Sequence, residues 1–228
     1  MPLMPDISTH GFWIDWNLLI ISLVTLVVAI LSFALVALAV INYRQSKNPR
    51  ATRHLSGWIT RLIVLDVAMI VFDLIIAVFS TLGWVETIVQ GDDSLVRKYG
   101  DAAYVKVTAR QFFWSFTYPG LDNTFDTADD FTLGNQLVVP ENKLVILTMT
   151  SGDVIHSFFA PNLRVKYDVI PGRETRVWFV AQQTGEYTAL CAELCGIVHY
   201  QMLADINVLK PEEYQRWLET KTVRSGAY

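Results

Sequence analysis

The chain has 228 residues, enough for one or two domains, and its 52 % hydrophobic content and mean hydropathy of +0.33 exclude a wholly soluble protein of ordinary composition. The formal charge is −4, and from residue 85 onward 18 acids stand against 13 bases, which argues against nucleic acid as a partner. A mildly acidic face suits a basic protein partner, although most such charge is ordinary solvated surface.

Nearly all the apolar excess precedes residue 84. Residues 16–41, WNLLIISLVTLVVAILSFALVALAVI, carry no charge. At about 1.5 Å per residue, a helix of this length crosses a hydrocarbon core of ~30 Å with some tilt. A second run, residues 59–84, is nearly as apolar but holds Asp66 and Asp73. Arg44, Lys47, Arg50, Arg53 and Arg61 lie in the connection without a single acid, which predicts a cytoplasmic or matrix location for it and the opposite side for both termini. A signal peptide does not fit the first run. No basic segment precedes it, it exceeds the usual ~7–15 apolar residues, and no small-residue cleavage site follows. Residues 1–99 are therefore expected to form a two-helix transmembrane hairpin and its connecting segment, with His10 and His54 belonging to the hairpin.

Beyond it the pattern is mostly strand. Residues 104–118, YVKVTARQFFWSFTY, are rich in β-branched and aromatic side chains and read as one strand. NQLVVP, KLVILTMTS, RETRVWFVA, GEYTALC and MLADINVL repeat this character between Pro, Gly and Asn punctuation. Short strands at regular intervals predict a sandwich or Greek-key barrel over residues 100–210. The intervening LDNTFDTADDFTLGN departs from an EF-hand spacing and reads as a solvated acidic loop rather than a Ca²⁺ site. KPEEYQRWLET has Pro211 at a helix start, acids in the first turn, and Tyr214, Trp217 and Leu218 on one face, so residues 211–228 form a short amphipathic helix and tail.

CAELCGIVHYQM, residues 191–202, holds the chain's only two cysteines, one of its four histidines and one of its five methionines. Four readings compete for this C-x3-C-x3-H-x2-M spacing. A disulfide between Cys191 and Cys195 suits an oxidising compartment but leaves His199 and Met202 without a role. A structural zinc site from both thiolates, His199 and a remote histidine has no use for the thioether. A mononuclear blue-copper site uses one thiol and leaves the second surplus. A dinuclear copper site uses every donor: both thiolates bridge, one histidine ends each side, methionine is axial on one copper, and a carbonyl serves the other. It needs one more histidine, and His156, in SGDVIHSFFAPN, is the candidate, expected where a loop begins at the barrel end.

CAELCGIVHYQM and the upstream DVIHSFFAPNLRVKYDVIPGR together resemble subunit II of haem-copper respiratory oxidases, the cytochrome c oxidase subunit 2 family, over essentially the whole chain. The resemblance implies an α+β membrane protein, with the two-helix transmembrane hairpin followed by a cupredoxin-like Greek-key β-barrel and a short C-terminal helix. It implies a CuA centre of two copper ions held by His156, Cys191, Cys195, His199, Met202 and the Glu193 backbone carbonyl. The Glu193 carboxylate would reach a Mg²⁺ at the interface with the catalytic subunit, near Lys166, Asp168 and Arg173. Function follows as an expectation. Electrons from an external donor, cytochrome c or similar, reach CuA and pass to haem in a catalytic partner subunit where O₂ is reduced. This chain holds no catalytic site of its own.

Three features depart from the family pattern. Gln111-Phe112-Phe113-Trp114 stands where the family usually has Gln-Trp-Tyr-Trp, so Phe112 occupies the electron-input position, with Phe113 and Trp114 as further candidates. The second helix lacks the family's glutamate and proline and instead carries Asp66 and Asp73, candidates for a proton path or an intersubunit contact. LGNQLVVP replaces a segment that often contains Asp-Asn-Arg. The alternative function is the CuA subunit of a nitric oxide reductase of the same superfamily. The departures favour a bacterial inner (plasma) membrane over a mitochondrial one, with the copper domain and both termini on the periplasmic side.

Overall fold

The computed structural model describes residues 4–43, 56–88 and 91–225. Two compact units emerge: Trp13–Thr87 forms one, and Met1–Phe12 joins Ile88–Tyr228 in the other. The first contains all but the end residues of helix α1 (Gly11–Tyr43) and helix α2 (Ser56–Ile88), each longer than its apolar run. Each holds a segment long and apolar enough to cross a membrane, Gly11–Asn42 with mean hydropathy 3.0 and Ile63–Gly83 with 2.5. Arg44, Lys47, Arg50, Arg53 and His54 lie outside the described residues, and Arg61 is exposed on α2.

The second unit begins with α3 (Asp92–Tyr99), a short helix in the segment read as a plain connection. Two acids in its first turn and two bases in its last suit the helix dipole, and Leu95 is its buried residue. Ten strands follow: β1 (Ala102–Arg110), β2 (Phe113–Tyr118), β3 (Phe131–Gly134), β4 (Gln136–Pro140), β5 (Leu144–Ser151), β6 (His156–Ala160), β7 (Val165–Val169), β8 (Thr175–Val180), β9 (Gly185–Cys191) and β10 (Leu203–Leu209). They make two five-stranded sheets, ordered β3-β2-β1-β5-β8 and β4-β10-β9-β6-β7. Neighbours distant in sequence and alternating burial give the cupredoxin-like sandwich, whose core lies between the sheets. Helix α4 (Pro211–Ser225) closes it, with Trp217 edge-on to Tyr118 at 5.2 Å.

The 104–118 segment is not one strand. It folds back at Gln111-Phe112, pairing Arg110 with Phe113 and Lys106 with Thr117. Fifteen residues in one strand would run to about 50 Å, well beyond the usual strand length. The acidic loop uses its carboxylates on itself: Asp129 accepts from Leu121 N at 2.7 Å and Thr127 Oγ1 at 2.6 Å, and Asp130 from Asp126 N at 2.8 Å.

His10 also departs from expectation. It does not belong to the hairpin unit but is buried beside Trp178 of β8, ring centroids 5.3 Å apart. The segment before it runs along the β8 edge. Thr9 N donates to Val180 O at 3.2 Å, Gln182 N to Ile7 O at 2.7 Å, and Ile7 N to Asn162 O at 2.9 Å. Burial lowers the His10 pKa, against an opposing attraction from Asp6, and so favours the neutral ring.

Candidate metal centre

The β9–β10 hairpin positions most of the donors. Leu190 pairs with Leu203, so Cys191 and Met202 sit at the two mouths of the connecting loop, and Cys191 N donates to Met202 O at 3.0 Å. Inside the loop, His199 N donates to Gly196 O at 3.2 Å and Met202 N to His199 O at 3.1 Å, winding Cys195 and His199 back over Cys191. Strand β6 lies beside β9 with Phe158 opposite Cys191, which brings His156 to the same end of the sheet. His156 is thus the first residue of a strand rather than of a loop. His156, Cys191, Cys195 and Met202 are all buried within or against the core.

The sulfurs of Cys191 and Cys195 are 3.9 Å apart and both thiols are free, far from the ~2.05 Å of a disulfide. Metal–thiolate bonds of ~2.3 Å allow an ion to touch both sulfurs at that separation. His156 Nδ1 lies 3.8 Å from Cys191 Sγ, and His199 Nδ1 lies 3.5 Å from Cys195 Sγ. Each imidazole is beside its own sulfur. Met202 Sδ is 3.8 Å from Cys195 Sγ on one side, and the Glu193 carbonyl is 3.2 Å from Cys191 Sγ on the other. Among the described residues, His156, Cys191 and Cys195 form the one group of three such side chains whose ligand atoms all lie within 4.8 Å of one another, and His199 falls outside it. The donors therefore divide into two halves about a shared sulfur pair. Soft sulfur and imidazole donors in this division fit a pair of copper ions better than one tetrahedral ion.

Burial, reinforced by the adjacent Cys191 thiol, pushes Cys195 up to about 11, so a bound cation has to displace its proton. On the far side of His156, Nε2 lies 2.8 Å from Asp153 Oδ1, which leaves Nδ1 for the metal side. Asp153 also accepts from Gln111 N and Val154 N, each at 2.7 Å. Burial works against the Asp153 carboxylate, but these hydrogen bonds outweigh it and hold its pKa down to about 2. Sequence reasoning missed Asp153. Its only signal was a carboxylate three residues before a histidine in a turn.

Phe112 is half-buried against the core and lies over the cysteine loop, where a Cβ on Gly196 would meet its Cζ at 3.0 Å. Gly196 has φ +147, a conformation that favours glycine, and the Gln111 side chain donates to Cys195 O beside it. Trp114 is fully buried with its ring edge-on to His156, centroids 6.1 Å apart. Phe113 points to the other face, against Gly134. Lys166 and Asp168 are exposed on edge strand β7, opposite Phe159 and Ser157 of β6, and Arg173 is exposed in the turn before β8. The Glu193 carboxylate is exposed too, and it is not part of the His156, Cys191 and Cys195 group.

Residues 103–209 match the family described as cytochrome c oxidase subunit II, periplasmic domain. Cytochrome c oxidase subunit 2 of Cereibacter sphaeroides is 30 % identical over 262 residues, covering 100 % of this chain and 80 % of the relative. The chain belongs to the cytochrome c oxidase subunit 2 family. The subunit 2 protein of Alkalihalophilus pseudofirmus is 31 % identical over 209 residues, covering 91 % of this chain, which spans 58 % of that relative's length. Among solved structures, the periplasmic domain of subunit II of cytochrome oxidase from Bradyrhizobium japonicum is similar at 34 % identity and a TM-score of 0.48, covering 54 % of this chain and 94 % of that one. As a member of a copper-binding respiratory family with two apolar helices, the chain is a membrane protein.

Proposed function

We propose that the chain is the electron-accepting subunit of a haem-copper terminal oxidase. It takes electrons from an external donor, cytochrome c or a similar protein, and delivers them to haem in a catalytic partner subunit that reduces O₂. The observation that carries this reading is the placement of each histidine beside its own sulfur, 3.8 and 3.5 Å away, around a sulfur pair 3.9 Å apart. Cys191 and Cys195 would bridge two coppers, His156 and His199 would end the two sides, and Met202 and the Glu193 carbonyl would complete them. Copper bound in this way supplies a one-electron carrier whose charge is shared through the thiolates.

The chain's own residues do the rest. Asp153 fixes the His156 tautomer and ring plane, and the hydrogen bonds across the loop hold the donors before any ion arrives. The fully buried Trp114, edge-on to His156, shields that imidazole from water. Phe112, packed on Gly196, offers an aromatic face at the loop toward a donor. The exposed Glu193 carboxylate would serve as a ligand to a Mg²⁺ at the contact with the catalytic subunit, near Lys166, Asp168 and Arg173. The membrane is a bacterial inner membrane, and the copper domain and both termini lie on its periplasmic side.

The test is rapid-mixing kinetics on the purified membrane complex with reduced cytochrome c. Copper reduction that precedes haem reduction, followed by O₂ uptake, is the expected result. Haem reduction without prior copper reduction, or turnover with nitric oxide and none with O₂, contradicts the reading.

A further inference from the structure

The hairpin contains two groups that the copper site does not use. Asp66 and Asp73 both lie in the Ile63–Gly83 span of α2, both are exposed, and neither has a hydrogen-bond or ion-pair partner among the described residues. Twenty-one residues of helix reach about 31 Å, the thickness of a hydrocarbon core. Asp66 is then about 4.5 Å in from the Ile63 end, and Asp73, about 10 Å deeper, is at the mid-plane. Seven residues turn a helix through nearly two full turns, so the two carboxylates fall within about 20° of each other. Ser80, another seven residues on, continues the same stripe past the middle of the span. Apart from Thr81 and the terminal Gly83, the rest of the span is apolar.

A carboxylate facing lipid at the mid-plane is costly whether ionised or neutral, because nothing there completes its hydrogen bonds. Among the described residues, none is a hydrogen-bond or ion-pair partner for it. We propose that the Asp66–Asp73 face of α2 is a docking seam for a membrane helix of the partner subunit, and that this helix presents a Lys or Arg side chain at the depth of Asp73 and a hydrogen-bond donor at the depth of Asp66. Charge complementarity selects this occupant. A wholly apolar helix would leave both carboxylates unpaired, and a second copy of α2 would set acid against acid. The seam rests on the reading of the chain as a subunit of a membrane complex, but not on the copper.

The experiment uses the whole complex, purified in detergent through a tag on this chain. Recovery of a haem-bearing partner with the unaltered chain is scored first, and failure there counts against the proposed function. Recovery of a partner without haem leaves the seam standing, whereas recovery of no partner at all overturns it. Retention of the partner is then compared for Asp73→Asn, Asp73→Leu and Asp73→Glu, with Val71→Ser on the opposite face as control. The expected result is about a ten-fold loss of retention for Asn and Leu, with Glu and the control within about two-fold of wild type. The optical spectrum of bound copper reports in parallel that the outer domain has folded. Full retention in the Leu variant overturns the seam. Full retention in Asn with loss in Leu overturns the cationic partner, because a neutral amide would then suffice.

Discussion

Asp153→Ala separates a residue that orients the metal site from one that merely shapes a turn. The substitution removes the acceptor for His156 Nε2 at 2.8 Å and for Gln111 N and Val154 N at 2.7 Å each. Carboxylates behind metal-ligating histidines are typically worth about 10–100-fold in metal affinity, or ~1.4–2.8 kcal/mol. With its pKa held near 2, Asp153 faces the ring as an anion throughout the neutral range. The two backbone donors left without their acceptor, Gln111 N and Val154 N, should destabilise the metal-free fold as well, by about 1–3 kcal/mol. Copper competition against a chelator, on the full chain in detergent, measures the first quantity, and urea unfolding of the metal-free chain measures the second. Asp153→Asn keeps an acceptor oxygen and should fall between wild type and Ala in both. Copper affinity within two-fold of wild type in Asp153→Ala, alongside a clear loss of metal-free stability, would refute the orienting role.

Other substitutions probe the frame around the site. Tyr118→Phe removes a buried hydroxyl that donates to Val138 O at 3.1 Å and accepts from Val138 N at 2.7 Å, and should cost about 2–4 kcal/mol in denaturant unfolding without altering the copper spectrum. Burial pushes Tyr214 up to about 12 from 10.0, so the unfolded chain gives up this proton first. That contribution to stability is intact below pH ~10 and is lost as pH rises toward ~12, by about 2–3 kcal/mol; Tyr214→Phe should flatten this part of the alkaline unfolding profile. Gly196→Ala forces a side chain onto backbone at φ +147 and against Gln111 and Phe112, and should lower stability by about 1–3 kcal/mol and shift the copper absorption bands.

Local signals in the sequence carried furthest. The hairpin was legible because its apolar runs are long and uninterrupted, and the strands of the sandwich because Pro, Gly and Asn punctuate them. Four sulfur and nitrogen donors within twelve positions marked a candidate metal centre, since the hairpin loop that gathers them is itself local. What depended on distant contacts was hidden. The reversal at Gln111-Phe112 carries no Gly, Asn or Pro, and becomes necessary only because β1 pairs along β5 in parallel while β2 pairs with β3. The His10 segment looks like a lead-in to a helix, yet its partners, Asn162 and Val180, lie about 150–170 residues away in the chain. Asp153 looks like one more turn acid until the fold brings Gln111 and His156 to it.

The proposed function requires that two thiolates join two copper ions in this one chain. Metal analysis combined with electron paramagnetic resonance on the full chain, loaded with copper and half reduced, tests it most directly. About two coppers per chain and hyperfine splitting from one electron spread equally over both nuclei are expected. A single copper with the splitting of an isolated ion, or zinc retained in its place, would contradict it.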